Sequence, residues 1–492
     1  MTMIPNPLSV LLLVPTVGLG LVLLTPSHKT ALIRKITNIT LLLPFLLSIW
    51  IFAAYDATTG GYQFVQKIPW VSAFGIFFHI GVDGINSLML ILVGAGSFTA
   101  VLISDSIKER VKEYYALILL MVIGTYAAFC SLDIFFFFLL HEIATIPTFL
   151  LIGIWGSQRR DYAAMKITLY LTAGASLALI GLIALYYAAG LGTFDSVAIQ
   201  QYLTTTPLPV DVQNVIFPLI VVGFGITLTL WPFHTWAPVA YAEAPTAVSM
   251  LHAGVIKKLG AYAIIRFAIQ LMPDAAHTWM PIIGVLGIVN ILFCGFIALT
   301  QRDMKYIVAY SSCSHVGYIF LGLAALNVIG LNGVVFLMFA HGIMAVLAFA
   351  LTGYIEGQTK SRNLDEWGGL LTRMPFIGTC FMMAAFASAG VPGFGNFVAE
   401  MLVLLGSWDQ YRWLTILAVL GIVITAIYML KSIRLGFHGP LLPKLNNVSD
   451  ATTVLAKLPF IILLAILMVV GCFPSLILKN ISAATKTIIV SK

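Results

Sequence analysis

The chain has 492 residues, of which 60% are hydrophobic and 9% charged, with a formal net charge of +7. An ordinary soluble domain carries about a quarter charged residues, so this composition excludes a soluble globular protein and points to one embedded in a lipid bilayer. The basic excess sits in short connections between apolar runs, where membrane orientation accounts for it, and no nucleic-acid partner is expected.

The first apolar run follows "MTMIPNP", which has neither a basic n-region nor a small-residue cleavage pattern, and is read as a retained span. Runs long enough to cross a bilayer, about 20 residues each, recur along the chain. Their lengths and their breaks at Gly, Pro and charge clusters place spans near 8–24, 37–55, 86–103, 114–131, 132–156, 162–190 and 212–232. Seven more follow near 243–270, 280–300, 306–325, 329–353, 375–406, 413–437 and 454–474, fourteen in all. The whole chain, 1–492, is read as one all-α polytopic membrane domain.

Gaps after odd-numbered spans carry most of the Lys and Arg, including Lys29, Arg34, Lys35, Lys108, Arg110, Lys112, Arg159 and Arg160, whereas gaps after even-numbered spans carry Lys67 and Arg412. The positive-inside bias puts the odd gaps in the cytoplasm and, with an even span count, both termini outside. Lys479, Lys486 and Lys492 in the tail run against that assignment.

Span 7 runs into "WPFHTWAPVAYAEAPTA" with Pro232, Pro238 and Pro245, and span 12 contains "AGVPGFGNFVAEM". Neither can be a continuous helix, because each proline removes a backbone donor. Unpaired backbone at membrane depth is tolerated only where protein or a water-filled cavity satisfies it, and matched breaks mark an ion or substrate path. The five-span offset fits two inverted units, spans 4–8 (114–270) and 9–13 (280–437), each broken in its fourth member, with spans 1–3 and 14 peripheral.

Ionisable residues inside these spans are candidates for that path. Glu142 lies mid-span in "FFFFLLHEIATIPTFLL", where an acidic group costs about 2.5–3.5 kcal/mol. Lys257 and Lys258 sit mid-span in "MLHAGVIKKLGAY" with His252 nearby, Glu400 lies in the second half of span 12, and His315 and His341 fall near the centres of spans 10 and 11. Such groups, linked by water and histidine, have the composition of a proton relay; fixed structural salt bridges are the alternative. Lys166 could instead snorkel to the interface. Lys257 and Lys258 point about 100° apart on a helix, and the sequence does not choose between them. Asp133, Arg266, Asp303 and Lys305 lie at span ends and read as interface anchors.

The five cysteines, Cys130, Cys294, Cys313, Cys380 and Cys472, are scattered singly and read as packing residues rather than as zinc or iron–sulfur ligands. No phosphate loop, dinucleotide fingerprint, haem motif or nucleophile elbow appears; "GVPGFGNF" follows no strand and is read as a helix break. No cofactor, metal or catalytic residue is expected in this chain.

Five segments, "FFFFLLHEIATIPTFLLIGIWG", "WPFHTW" followed by "EAPTA", "HAGVIKKLGAYAIIRF", "RDMKYIVAYSSCSHVGYIFLG" and "GVPGFGNFVAEMLVLLGSW", resemble the antiporter-like membrane subunits of respiratory complex I. The resemblance runs from about residue 80 to 437. A glutamate in span 12 is similar to the chain M (chain 4) type. It implies a relay of Glu142, Lys258 and Glu400 with Lys166, His315 and His341 on a connecting axis. It also implies NADH, FMN, iron–sulfur clusters and quinone on partner subunits, and related antiporter-like chains as neighbours in a bacterial cytoplasmic membrane.

Thr227 stands where that family usually has a span-7 lysine, and Val239 and Tyr241 stand where its Asp and His would be. Lys257, His234 or His252 is expected to take part of the missing role. The function expected is a proton-translocating subunit of NADH:quinone oxidoreductase. The alternatives are a subunit of a multisubunit Na+/H+ antiporter or membrane-bound hydrogenase, a stand-alone secondary transporter, and a structural scaffold.

Overall fold

The computed structural model describes residues 6–490. Two spanning helices, α1 (Pro7–Leu24) and α2 (Thr30–Ala54), lead to a hairpin of β1 (Gln63–Val71) and β2 (Ile76–Val82). The spanning body then runs through α3 (Asn86–Ile103), α4 (Val111–Cys130), α5 (Ile134–Trp155) and α6 (Arg160–Ala189) to a short connecting helix, α7 (Ser196–Thr205). Span 7 is the pair α8 (Val210–Leu228) and α9 (Trp236–Glu243). Span 8 comprises α10 (Thr246–Leu251), a π-helical turn at His252–Ile256, α11 (Lys258–Ala263) and a second π turn at Ile264–Ile269.

Span 9 is α12 (Pro273–Val289), a π turn at Asn290–Cys294 and α13 (Gly295–Thr300), followed by α14 (Met304–Ala324) and α15 (Val328–Thr359). Span 12 is split into α16 (Pro375–Ser388) and α17 (Gly395–Trp408), and α18 (Arg412–Phe437), α19 (Val454–Cys472) and α20 (Ser475–Val490) complete the chain. Thirteen segments of the described residues are long and apolar enough to cross a membrane. The two halves of span 12 are each too short alone and together supply the fourteenth, as expected.

The hairpin, α7 and α20 were not expected. The hairpin adds β structure to a body otherwise read as all-α: the strand "QFVQKIPWV" carries Pro69 and lacks a regular apolar–polar alternation. It is tied down by polar contacts, with Lys67 Nζ 2.5 Å and His79 Nδ1 3.2 Å from Asp195 Oδ2 and Phe77 N donating to Asp133 Oδ2 at 2.9 Å. α20 packs along α15, bonded through Asn332 to Ser482 and Thr485, and leaves Lys479 and Lys486 exposed.

Burial sorts the helices. The apolar windows of span 8 and α15 are wholly buried and that of α14 is 94% buried, against 28% for α1 and 33% for α6 and α19. Span 8, α14 and α15 therefore form the interior, where polar side chains meet protein rather than lipid. Lipid tails are as apolar as leucine, so helices associate in a bilayer by close packing, favoured by small residues. At the crossing of span 8 and α15, a Cβ on Gly254 would lie 2.8 Å from Gly342 O, and one on Gly342 would lie 2.7 Å from Gly254 O. Only glycine fits at this contact, which brings Lys258 against α15.

Candidate functional site

Beyond that glycine contact, Lys258 Nζ lies 3.0 Å from His341 Nδ1 and donates to Ala253 O at 3.1 Å. The His341 and His315 rings are 5.3 Å apart between centroids. His315 Nδ1 lies 3.0 Å from Glu400 Oε1, and its Nε2 lies 3.2 Å from Ser388 Oγ. Four of the sequence-predicted residues thus form one line, Lys258–His341–His315–Glu400, contributed by span 8, α15, α14 and α17. All four side chains are nearly inaccessible to solvent.

The break in span 12 shapes the Glu400 end. Ser388 closes α16 just before the break, and Gly390 adopts φ +68°, a conformation that favours glycine. A Cβ on Gly390 would lie 2.9 Å from Glu400 Oε2, so its absence lets the carboxylate approach the broken backbone. From Ser388, polar contacts continue to Ser311 Oγ at 3.4 Å, and Tyr428 OH donates to Ser311 Oγ at 2.8 Å.

Lys257 takes a different direction, donating to Ser312 Oγ at 2.8 Å and Ser312 O at 3.3 Å, with its Nζ 5.7 Å from the Tyr241 ring centroid. The π turn contributes: Lys257 N donates five residues back to His252 O at 3.2 Å. Inserted residues of this kind are frequent at functional sites. Both lysines are fully buried, yet only Lys258 reaches His341. His252 Nδ1 lies 3.3 Å from Tyr241 OH.

The remaining predicted residues stand apart from that line. Glu142 is 24% exposed, sits 2.9 Å from His141 Nδ1, and lines a cavity of about 110 Å³ between α5 and α6 with Thr145, Thr148, Thr168 and Thr172. Among the described residues no lysine ion pair with Glu142 is present. Lys166 is half-buried on α6, with Nζ 5.6 Å from the Tyr162 ring centroid. His234 is buried just after the span-7 break, its ring 5.6 Å from that of Phe293 and its Nδ1 without a partner.

Residues 131–425 match the family described as "NADH:quinone oxidoreductase/Mrp antiporter, TM". The chain belongs to that family. It is 35% identical over 443 residues to NADH-quinone oxidoreductase subunit M of Rhodobacter capsulatus, covering 88% of this chain and 86% of that protein. It is also 35% identical over 442 residues to NAD(P)H-quinone oxidoreductase chain 4 2 of Microcystis aeruginosa, covering 88% and 79%. Its fold is similar to a chain of respiratory complex I from Thermus thermophilus, with TM-score 0.89, 24% identity and coverage of 98% and 99%. A chain of the Mrp complex from Dietzia sp. matches with TM-score 0.86 at 21% identity, covering 99% and 98%.

Sequence reasoning missed several residues that build the site in this member of the NADH:quinone oxidoreductase/Mrp antiporter family. Asn290, in the π turn of span 9, repairs the span-7 break: its Nδ2 donates to Thr229 O at 2.9 Å and its Oδ1 accepts from Trp231 N at 2.6 Å. A lone asparagine inside the apolar run "GIVNILF" was the available signal. Ser312 and Ser388 gave none, since serine commonly bonds its own helix. Arg266, read as an interface anchor, is instead 5% exposed, ion-paired with Asp83 and flanked by the rings of Tyr62 and Tyr262. Lys305 is likewise buried and paired, with Nζ 2.8 Å from Glu356 Oε2.

Proposed function

We propose that this chain is the antiporter-like, proton-translocating subunit of a proton-pumping NADH:quinone oxidoreductase, carrying no redox centre itself. The observation that supports this most is the buried line Lys258–His341–His315–Glu400, since ionisable groups at mid-membrane are expensive and usually mark ion pathways. The curated relatives named subunit M and chain 4 support the same reading.

Lys258 is the sensitive element of the line. Its only polar partners within hydrogen-bond range are a backbone carbonyl and an imidazole, with no carboxylate at ion-pair distance among the described residues. A unit charge arriving about 4 Å away acts on such a group with about 4 kcal/mol at an effective dielectric near 20. One pKa unit corresponds to about 1.4 kcal/mol, so a charge change of that size can shift the proton between Lys258 and His341. His341 hands the proton across to His315, whose ring centroid lies 5.3 Å away, and His315 passes one to Glu400, whose carboxylate faces the interrupted backbone of span 12.

In this reading the flavin, iron–sulfur clusters and quinone reside on partner subunits, whose redox chemistry supplies the charge change. The chain sits in a bacterial cytoplasmic membrane with both termini outside, its spans 4–8 and 9–13 forming inverted units. Lys166 and His234 serve the uptake side near Glu142. In the assembled complex, Glu400→Gln lowers protons pumped per electron while NADH oxidation by the partner subunits continues. Normal stoichiometry in that variant would remove Glu400 from the path. An Mrp-type antiporter subunit is the second reading, favoured by a family description that spans both kinds of complex and by fold likeness; it predicts co-purification with small membrane chains and no flavin or iron–sulfur subunits.

A further inference from the structure

The relay reading leaves Glu142 without its expected span-7 lysine, and two buried imidazoles offer the replacement. His141 is 2% exposed and uses Nδ1 on Glu142; His252 is fully buried and uses Nδ1 on the Tyr241 hydroxyl. The Nε2 of each has no hydrogen-bond partner among the described protein groups. More than about 90% of buried polar groups in folded proteins are satisfied by protein or ordered water, so two such nitrogens in one region need an explanation. α5, which carries His141, packs directly against the π turn that begins at His252. Around them the rings of Phe137, Phe224 and Trp236 exclude bulk solvent.

Resting on the relay reading, we propose that an ordered water site joins His141 Nε2 to His252 Nε2, so that His141 takes the linking role usually given to the span-7 lysine. A buried water makes about three hydrogen bonds, and these two nitrogens supply two of them. Glu142 gives its carboxyl proton to His141 Nδ1, and His141 releases the proton on Nε2 to the water. The water in turn gives one of its own protons to His252 Nε2. His141 and the water end with the proton counts they began with, and His252 then faces Tyr241, above which Lys257 sits.

The test compares His141→Phe, His252→Phe, the double variant and Glu400→Gln in the assembled complex in liposomes, reading protons pumped per electron. Phenylalanine keeps the ring packing and removes the nitrogens. Each single histidine variant is expected to lose pumping, and the double variant to lose no more than the worse single one. Parent-level pumping in His141→Phe beside a loss in Glu400→Gln overturns the bridge and leaves the relay standing. Additive losses in the double variant also overturn it, by putting the two histidines on separate routes. Normal pumping in Glu400→Gln overturns the relay reading itself and the bridge with it. If a phenylalanine variant fails to assemble, a structure of the parent complex that resolves waters decides: one water bonded to both Nε2 atoms supports the site, and dry packing between them overturns it.

Discussion

Lys258 and His341 are 83 residues apart in the chain, yet Nζ and Nδ1 meet at 3.0 Å in a fully buried setting. The contact depends on backbone touching backbone at Gly254, one turn before Lys258, and Gly342, the residue after His341. Packing and polar contact are therefore one feature here, since the glycines that let the helices cross also bring Lys258 within reach of His341.

Gly342→Val should separate them. Its Cβ would start 2.7 Å from Gly254 O, and overpacking of this kind costs about 1–3 kcal/mol. A lowered melting midpoint together with reduced pumping is expected, and the shift is read on the detergent-extracted complex. An unchanged midpoint would show that the crossing accommodates the side chain.

Asn290→Leu keeps the branching of the side chain but leaves Thr229 O and Trp231 N unpaired at the span-7 break. Each unsatisfied buried backbone group costs about 1–3 kcal/mol. Faster amide exchange confined to residues near 225–236 is expected; protection equal to the parent's would mean that another group repairs the break.

Between the adjacent lysines, the partners differ and so should the phenotypes. Lys258→Met removes the group that touches His341, whereas Lys257→Met removes one held by Ser312 over Tyr241. Lys258→Met is expected to reduce protons per electron more than Lys257→Met. Parent-level pumping in Lys257→Met would reduce Lys257 to a packing residue.

The hairpin anchor has a defined pH signature. Burial pushes the Asp195 carboxyl up, but His79 and Lys67 outweigh it and hold the group well below its ordinary 3.8. A depressed native value means the carboxylate's contribution is fully present above the ordinary value and is lost as pH falls through the lower native one. Asp195→Asn should therefore cost roughly 1.5–3 kcal/mol near neutrality, a deficit persisting to about pH 4 and narrowing only below it. Protease cleavage within residues 63–82 measures it, and equal cleavage of variant and parent at neutral pH would dismiss the anchor.

Much of the architecture was legible because hydrocarbon is an unforgiving solvent. Fourteen spans and both helix breaks followed from apolar length, proline and glycine, the family from the resemblance of five segments, and Glu142, Lys258 and Glu400 stood out because a charge in an apolar run is costly. The hairpin and α20 were not legible, for their half-exposed, mixed composition carries no comparable penalty. Nor was Asn290 singled out, since a neutral amide costs less than a charge, or the π turns, which leave no compositional trace.

The sequence by itself determined which side chains could not rest quietly in a bilayer, because the cost of an unpaired charge in hydrocarbon follows from residue type and depth. Which of them touch was decided only by the tertiary structure. His315 meets Glu400 from 85 residues away and Lys258 meets His341 from 83, while Glu142 turns to its neighbour His141 and a threonine-lined groove. A hydrogen bond is a matter of tenths of an ångström, and those are set by helix crossings, glycine contacts and π turns that no pattern of hydropathy encodes.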